Sequence, residues 1–122
     1  MLDKILGGKR IIHKTLDAAW TRNEAIAQNI ANVDTPGYKR ITVSFEKQLL
    51  QEMERRNFKK SDVDKIGIKV SEDNKSLSTR LDGNNVDIDA EMAELAKNTI
   101  KYNTLIQLAG YSKIKTVIKE GK

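Results

Sequence analysis

The sequence predicts a mainly α fold, in which two long terminal helices form an α-helical coiled-coil hairpin and a short polar middle segment contains a turn and a small β-hairpin. Apolar residues recur every seven positions towards both ends of the chain, which is the spacing of coiled-coil helices. The only proline follows the first periodic stretch. We divide the 122 residues into a first coiled-coil helix (1–35), a turn, short helix and hairpin (36–85), and a second coiled-coil helix (86–122), with both ends building one structural domain.

The composition indicates a small core. Hydrophobic residues make up 39% of the chain, aromatic residues 5% and charged residues 32%. Globular domains have about 45–50% apolar and about 25% charged residues, and aromatic side chains supply much of their burial energy. We therefore expect other chains to supply part of the stabilising contacts.

The first helix is predicted from about Lys9 to Asn32. Its apolar seam follows the seven-residue spacing and comprises Ile12, Leu16, Ala19, Ile26 and Ile30. At 1.5 Å per residue this helix is roughly 36 Å long, more than a domain of this size covers with its own core. The seam is therefore expected to contact other helices.

A turn is predicted at Thr35 to Tyr38, with Pro36 and Gly37 in the second and third places that a type II turn prefers. Beyond it, alternating apolar residues at positions 41, 43 and 45 predict a short extended piece, followed by a helix over 45–56. Alternation over 66–70 and again over 77–81, on either side of a polar cluster, predicts the β-hairpin.

The second long helix is predicted from near Asp89 to about Lys119, with Asp87 and Asp89 as cap and as negative charge at its positive end. Two interleaved seven-residue series mark its seam. The seam residues are Met92, Leu95, Tyr102 and Ile106.

No catalytic or metal-binding pattern is present in the sequence. His13 is the only histidine, there is no cysteine, and no glycine-rich phosphate loop occurs. The aspartates at 82, 87 and 89 lack the spacing and the closing glutamate of a calcium loop, and a turn followed by a helix cap explains them. We expect no enzymatic activity, cofactor, metal or small-molecule substrate.

The net charge of +5 would permit binding to nucleic acid, but 17 acidic residues are interspersed among 22 basic ones. A solvated mixed surface explains this pattern, and we expect no nucleic-acid partner. The longest apolar runs are far shorter than the ~20 residues of a membrane span, and the N-terminus lacks the pattern of a cleavable signal peptide.

One segment stands out as a candidate assembly corner, where a helix ends in paired amides and a proline-glycine reversal. Asn29 and Asn32 share one helix face, on which their amides can bond the free carbonyls at the helix end. An ordinary helix stop is the simpler interpretation. The corner residues are Asn29, Asn32, Thr35, Pro36, Gly37 and Tyr38.

The stretch from Asn29 to Arg40 resembles the N-terminal signature of the flagellar basal-body rod protein family, an asparagine-rich helix end that runs into a Thr-Pro-Gly-Tyr turn. Residues 85–87, followed by an acidic helix with Tyr102, are similar to a second hallmark of that family. The resemblance covers essentially the whole chain. The short length is that of the two small proximal-rod members, and residues 81–89 and 96–102 resemble one of these two more closely.

The resemblance implies a structural subunit of the proximal rod. Its copies would assemble helically into the hollow drive shaft that transmits torque and through which export substrates pass. The implied partners are the protein itself, other rod subunits, the junction protein between rod and motor ring, and the flagellar type III export gate. The implied location is the rod in the periplasmic space, reached from the cytoplasm without a cleaved signal peptide. In such an assembly, Pro36 would fix the corner angle and present Tyr38 to a neighbouring subunit.

Two alternatives stay open. Phe45 with Leu49 fits the export-gate pattern of the family's early export substrates, but the same two residues share a helix face and fit inward packing equally well. Without the resemblance, the seams also fit a small helical adaptor that binds a soluble partner.

Overall fold

A computed structural model describes residues 9–74 and 80–120. The chain is mainly helical, as predicted. In chain order the elements are α1 (Lys9–Ala31), β1 (Ile41–Ser44), α2 (Glu46–Met53), a 3₁₀ helix (Lys60–Lys65), β2 (Lys69–Glu72) and α3 (Ile88–Glu120). The two long helices lie within two residues of their predicted bounds. The division into residues 1–35, 36–85 and 86–122 stays a prediction.

The end of α1 and the turn beyond it follow the prediction. The helix ends at Ala31, and the backbone N–H of Tyr38 donates to the Thr35 carbonyl oxygen at 3.2 Å. Gly37, in the third place of this turn, has φ +74°, the left-handed conformation that a type II turn requires there. The sole proline and the glycine therefore reverse the chain where the sequence placed the reversal.

The strand in the first half of the predicted β-hairpin pairs with β1, and its predicted pairing with 77–81 lies outside the described residues. Among the described residues, β1 and β2 form a two-stranded antiparallel sheet, with Ile41 opposite Glu72 and Ser44 opposite Lys69. The other predicted strand, 77–81, falls mostly outside the described residues, and its last residue, Leu81, lies in an exposed turn. An isolated ribbon is marginal in water, whereas β1 lies against α1 and offers β2 a supported edge.

The short helix is shorter than predicted, and its first apolar residue is part of the core. The stretch expected over 45–56 is helical only from Glu46 to Met53, while Phe45 lies just before it. The core cluster comprises Ala18 of α1, Phe45, Leu49 and Ile66, with Ile11 and Ile68 packed against it. The core is small, as the composition predicted.

The two long helices are antiparallel. Asn29 of α1 contacts Glu91 of α3, and Ala19, ten residues earlier, contacts Asn98, seven residues later. The face of α1 in this region carries Ala18, Ala19, Ala25 and Ile26, all buried, and alanine allows helices to approach closely. Whether the pair winds into a coiled coil stays a prediction. Among the described residues no helix is long and apolar enough to cross a membrane.

Only part of the predicted α3 seam faces α1, and its contacts with other chains stay a prediction. Met92 and Ile106 are 52% and 46% exposed, and the buried positions are Glu91 and Asn98. Leu95 and Tyr102 are half-buried, so the face towards α1 alternates steps of four and three through 91, 95, 98 and 102. Leu95 and Tyr102 belong both to the predicted seam and to this face. The face is rotated from the seam by less than one residue, towards positions 91 and 98, because the polar side chains there find hydrogen-bond partners on α1. Of the α1 seam, Ala19 and Ile26 are buried, and Ile12, Leu16 and Ile30 are half-buried.

Candidate functional site at the corner between the helices

Asn29 is the centre of the corner and is fully buried. Its Nδ2 donates to the Ile41 carbonyl oxygen at 2.9 Å and to Glu91 Oε2 at 3.2 Å. Its Oδ1 accepts from the Ile41 N–H at 2.8 Å and from the Tyr38 hydroxyl at 2.9 Å. One amide therefore uses both donors and both lone pairs, and it joins α1 to β1, to the turn and to α3.

Tyr38 bonds within its own chain, and its expected contact with a neighbouring subunit stays a prediction. Its hydroxyl points inwards and donates to Asn29, and the residue is half-buried. Burial raises the pKa of this phenol, and the negative charges of Glu91 and Glu72 raise it further. The hydroxyl consequently stays a proton donor to Asn29.

The carbonyl groups at the end of α1 are bonded by a residue from the far side of the middle segment. Asn84 is fully buried, and its Nδ2 lies 2.9 Å from the Asn32 carbonyl oxygen, 3.0 Å from that of Val33 and 2.9 Å from that of Thr35. Arg80 also donates to the Val33 carbonyl oxygen. These three carbonyl groups lie in the turn directly after α1, so Asn84 holds the chain as it leaves the helix, from about fifty residues along the sequence.

Asn32 and Thr35 bond locally, as expected of the paired amides. Asn32 Nδ2 donates to the Gln28 carbonyl oxygen at 2.8 Å, and Thr35 Oγ1 donates to Asn32 Oδ1 at 3.0 Å. Gly37, also in the turn, makes a long-range contact, because its N–H donates to the Asp82 carbonyl oxygen at 2.7 Å. The reversal at Pro36 is therefore held from both sides.

A buried ion pair completes the corner. Arg40 Nε lies 2.8 Å from Glu91 Oε1, and Arg40 Nη1 lies 2.6 Å from Asp73 Oδ2. Only 1% of the Glu91 side chain is exposed. Burial alone would lower the pKa of Arg40, but its hydrogen bonds to Glu91 and Asp73 outweigh burial and raise it. The backbone N–H of Arg40 also donates to Oδ1 of Asn85 at 2.7 Å.

A second polar cluster joins three helices beside the corner. Arg22 of α1 makes two parallel hydrogen bonds to Glu46 of α2, at 3.0 and 2.7 Å, and Lys101 of α3 donates to Glu46 Oε1. Burial raises the pKa of Glu46, but the hydrogen bonds from Arg22 and Lys101 outweigh it and lower the pKa to about 2. The carboxylate is therefore charged at neutral pH and holds α2 to both long helices.

Sequence reasoning singled out Asn29 and Asn32 but missed the partners that complete their network. These are Arg40, Asn84 and Glu91. Asn98 and the cluster around Glu46 lie outside this network and were missed as well. A signal existed for two of them, because Glu91 and Asn98 are polar residues seven positions apart on the helix face that packs against α1. For Asn84 no local signal points to the end of a helix fifty residues away.

Phe45 and Leu49 are both buried, at 0% and 8% exposure, in the cluster with Ala18 and Ile66. The structure thus supports the packing interpretation of this pair in the folded protein. A role in export would require the segment to be unfolded and stays a prediction.

The polar groups of the corner bond to one another, so the corner acts by orienting the elements that it joins. Its carboxylates and amides bond to partners within the chain, and Asp87 caps α3, accepting from the N–H of Asp89 at 3.0 Å. Since Asp82 accepts from the N–H of Asn84 at 3.1 Å, the aspartates form a turn and a cap, as predicted. What the arrangement does is fix the angle between α1, the sheet and α3.

The chain is similar to proteins of the flagellum. A family model described as "Flagella basal body rod protein" matches residues 14–39, which include all six corner residues predicted from the sequence. The chain is 37% identical over 119 residues to the flagellar basal body rod protein FlgB of Bacillus subtilis (strain 168), covering 91% of this chain and 92% of the relative. It is 38% identical to FlgB of Borrelia hermsii (89% and 93% covered) and 32% identical to FlgB of Escherichia coli (strain K12) (93% of both).

Proposed function

The chain belongs to the flagellar basal body rod protein family, and from that membership we propose that it is a structural subunit of the proximal rod. In this proposal, copies of the chain assemble helically with other rod subunits into the hollow shaft that transmits torque. The comparisons lend no support to the alternative of a small helical adaptor.

The observation that carries the proposal is the distribution of apolar residues on the second half of α3. Helices that are apolar on all sides are buried on all sides. Between positions 105 and 118 the described apolar side chains point in every direction around the helix axis: Leu105, Ile106, Leu108, Ala109, Tyr111, Ile114 and Ile118. In the single chain five of them are between 46% and 65% exposed. Neighbouring subunits would bury this surface in a rod.

The corner is suited to a load-bearing subunit. Asn29 and Arg40 join α1, the sheet and α3 through hydrogen bonds of 2.8 to 3.2 Å in a largely buried site, so the angle between these elements resists deformation. We propose that this fixed angle sets how the middle segment is placed relative to the packed helices of the shaft. Pro36 and Gly37 contribute by holding the reversal.

The finer parts of the proposal concern partners and route. The chain would contact the junction protein between rod and motor ring and, during secretion, the type III export gate. It would occupy the periplasmic part of the basal body and reach it without losing a signal peptide. If Phe45 and Leu49 are read by the gate, they are read before the chain folds, because folding buries both.

The test is replacement of the chromosomal gene in the source bacterium by plasmid copies. We expect deletion to abolish swimming and the tagged wild-type chain to restore it and to copurify with basal bodies. Ile114→Asp with Ile118→Asp should be synthesised but absent from basal bodies. Leu50→Asp is the matched control, since Leu50 is similarly exposed at 61% but lies on α2. Swimming without the gene would disprove the proposal.

A separate variant tests the corner. Pro36→Ala with Gly37→Val should permit synthesis and export but prevent rod assembly, because valine does not adopt the φ of +74° found at Gly37. Full motility of this variant would show that the corner has no role in assembly, while leaving the rod function intact.

A further inference from the structure

The helix pair carries two different apolar surfaces. The first, the aromatic patch, is built by both long helices around Trp20 of α1 and Tyr102 of α3, whose ring centroids are 6.0 Å apart. Leu16 lies one turn before Trp20, and Ile106 lies one turn after Tyr102. Because the helices are antiparallel, these two residues extend the patch in the same direction. Trp20 is 54% exposed although it is the largest apolar side chain of the protein.

The second surface, the outer stripe, belongs to α3 alone and consists of Ile100, Tyr111, Ile114 and Ile118. The spacings of eleven, three and four residues place these side chains on one side of the helix. At 100° per residue, that side is about half a turn from the face through Asn98 and Tyr102 that packs against α1. All four side chains are at least 60% exposed. The outer stripe therefore points away from α1.

The edges of the two surfaces carry opposite charges. Asp17 and Glu24, three residues before and four after Trp20, are exposed on the side of the aromatic patch away from α3. Lys97 lies three residues before Ile100, with its Nζ 3.6 Å from Glu94 of the same helix, and Lys119 lies next to Ile118. Both lysines are exposed along one edge of the outer stripe. An acidic edge on one surface and a basic edge on the other favour contact between the two and oppose contact of either surface with itself.

We propose that the outer stripe of one copy docks on the aromatic patch of a second copy. This inference rests on the proposed function and names the two faces that meet in it. A surface that pairs with itself closes a twofold dimer, whereas two different complementary surfaces on one chain form a head-to-tail contact that can repeat. Repetition is what a rod requires. Trp20 and Tyr102 serve as the anchor, since aromatic residues in the centre of an interface contribute most of its affinity.

Mixing two blocked variants tests this pairing. Trp20→Ser with Ile106→Glu removes the patch, and Ile114→Asp with Ile118→Asp removes the stripe. We expect each variant alone to associate at least about tenfold more weakly than the wild type in sedimentation velocity. A 1:1 mixture should form a heterodimer that grows no further, because each variant contributes its one intact surface. A variant that dimerises alone through its intact surface would overturn the inference.

Disulfide trapping gives a second readout that does not depend on removing the patch. The chain has no cysteine, so single substitutions report only on the intended positions. Copies with Ile106→Cys and copies with Ile114→Cys, carrying different tags, should cross-link to each other at least about tenfold more than either does to itself. Preferential Ile114→Cys homodimers would overturn the inference.

Exchange of the edge charges provides the matched control. Asp17→Lys with Glu24→Lys should weaken association with wild-type copies, and Lys97→Glu with Lys119→Glu in the opposing copy should restore it. No restoration would contradict the pairing. If the chain is found in basal bodies but cross-links through other positions, this inference fails and the rod function stands. If deletion leaves swimming intact, the rod function itself fails.

Discussion

The side-chain amide of Asn29 donates to the carboxylate of Glu91, sixty-two residues further along the chain, over 3.2 Å. Both side chains are buried, at 0% and 1% exposure. Since Glu91 also bonds Arg40, its buried charge is paired with a cation and hydrogen-bonded to an amide, the two conditions that make a buried carboxylate tolerable. The two family hallmarks in the sequence therefore meet in one hydrogen-bond network.

Replacing Asn29 by aspartate should destabilise the protein by at least ~3 kcal/mol. The substituted carboxylate would lack both amide donors, leave the Ile41 carbonyl oxygen unpaired and set a second negative charge against Glu91. The free energy of unfolding in urea measures the effect. Asn103→Asp is the control, because Asn103 is exposed on α3 and should change stability by less than ~0.5 kcal/mol. Equal effects at the two positions would contradict the role of Asn29.

Glu46 should make stability depend on acid pH. Its pKa is about 2 in the folded protein and near 4.5 when unfolded, so its contribution is present above pH 4.5 and is lost as the pH falls towards 2. At pH 7 we expect Glu46→Gln to lower the free energy of unfolding by about 1–2 kcal/mol, allowing for solvent screening. The difference from wild type should shrink between pH 4.5 and pH 2. Glu24→Gln, at an exposed site on α1, is the control for loss of a charge and should change the free energy of unfolding at pH 7 by less than ~0.5 kcal/mol.

Asn98→Leu should raise stability by ~1 kcal/mol. Asn98 is 3% exposed and its Nδ2 donates to the Ala19 carbonyl oxygen at 2.8 Å, but within the described residues its Oδ1 has no hydrogen-bond partner. Leucine has the same branching and number of side-chain heavy atoms, and it removes this unsatisfied oxygen and adds apolar contact. A buried asparagine also fixes the register of paired helices, so the gain should come with a less unique pairing.

Urea unfolding gives the change in stability, and the fluorescence of Trp20, the only tryptophan, reports on its contact with Tyr102. Unchanged Trp20 fluorescence together with a lower free energy of unfolding would contradict both parts of this prediction.

Gly37→Ala should lower stability by about 1–2 kcal/mol through the backbone alone. No described atom lies within 4 Å of the Cβ that alanine would add, so there is no clash, and the change reflects the φ of +74°. Gly67→Ala is the matched control, because its Cβ would also meet no described atom and its φ lies outside the left-handed region. We expect that control to be neutral or stabilising by up to ~1 kcal/mol in thermal unfolding. Equal effects of the two substitutions would rule out backbone strain as the cause.

Local features of the chain were predictable because their causes are local. Pro36 and Gly37 determine a turn through their own dihedral preferences, and the carboxylate of Asp87 caps the helix that begins next to it. The strand at Ile41 was visible as alternation. The pairing of β2 with β1 could not be predicted from the sequence, because strand pairing depends on which edge the rest of the fold supports. Here α1 supports β1.

The sequence by itself determined the class of fold, the bounds of both long helices, the reversal at Pro36 and the family. Only the tertiary structure decided the rotation of α3, which turns Glu91 and Asn98 towards α1 and leaves Met92 and Ile106 exposed. The physical reason is that a heptad pattern sets the period of a helix but leaves its exact rotation open, and buried hydrogen bonds between residues distant in sequence select that rotation.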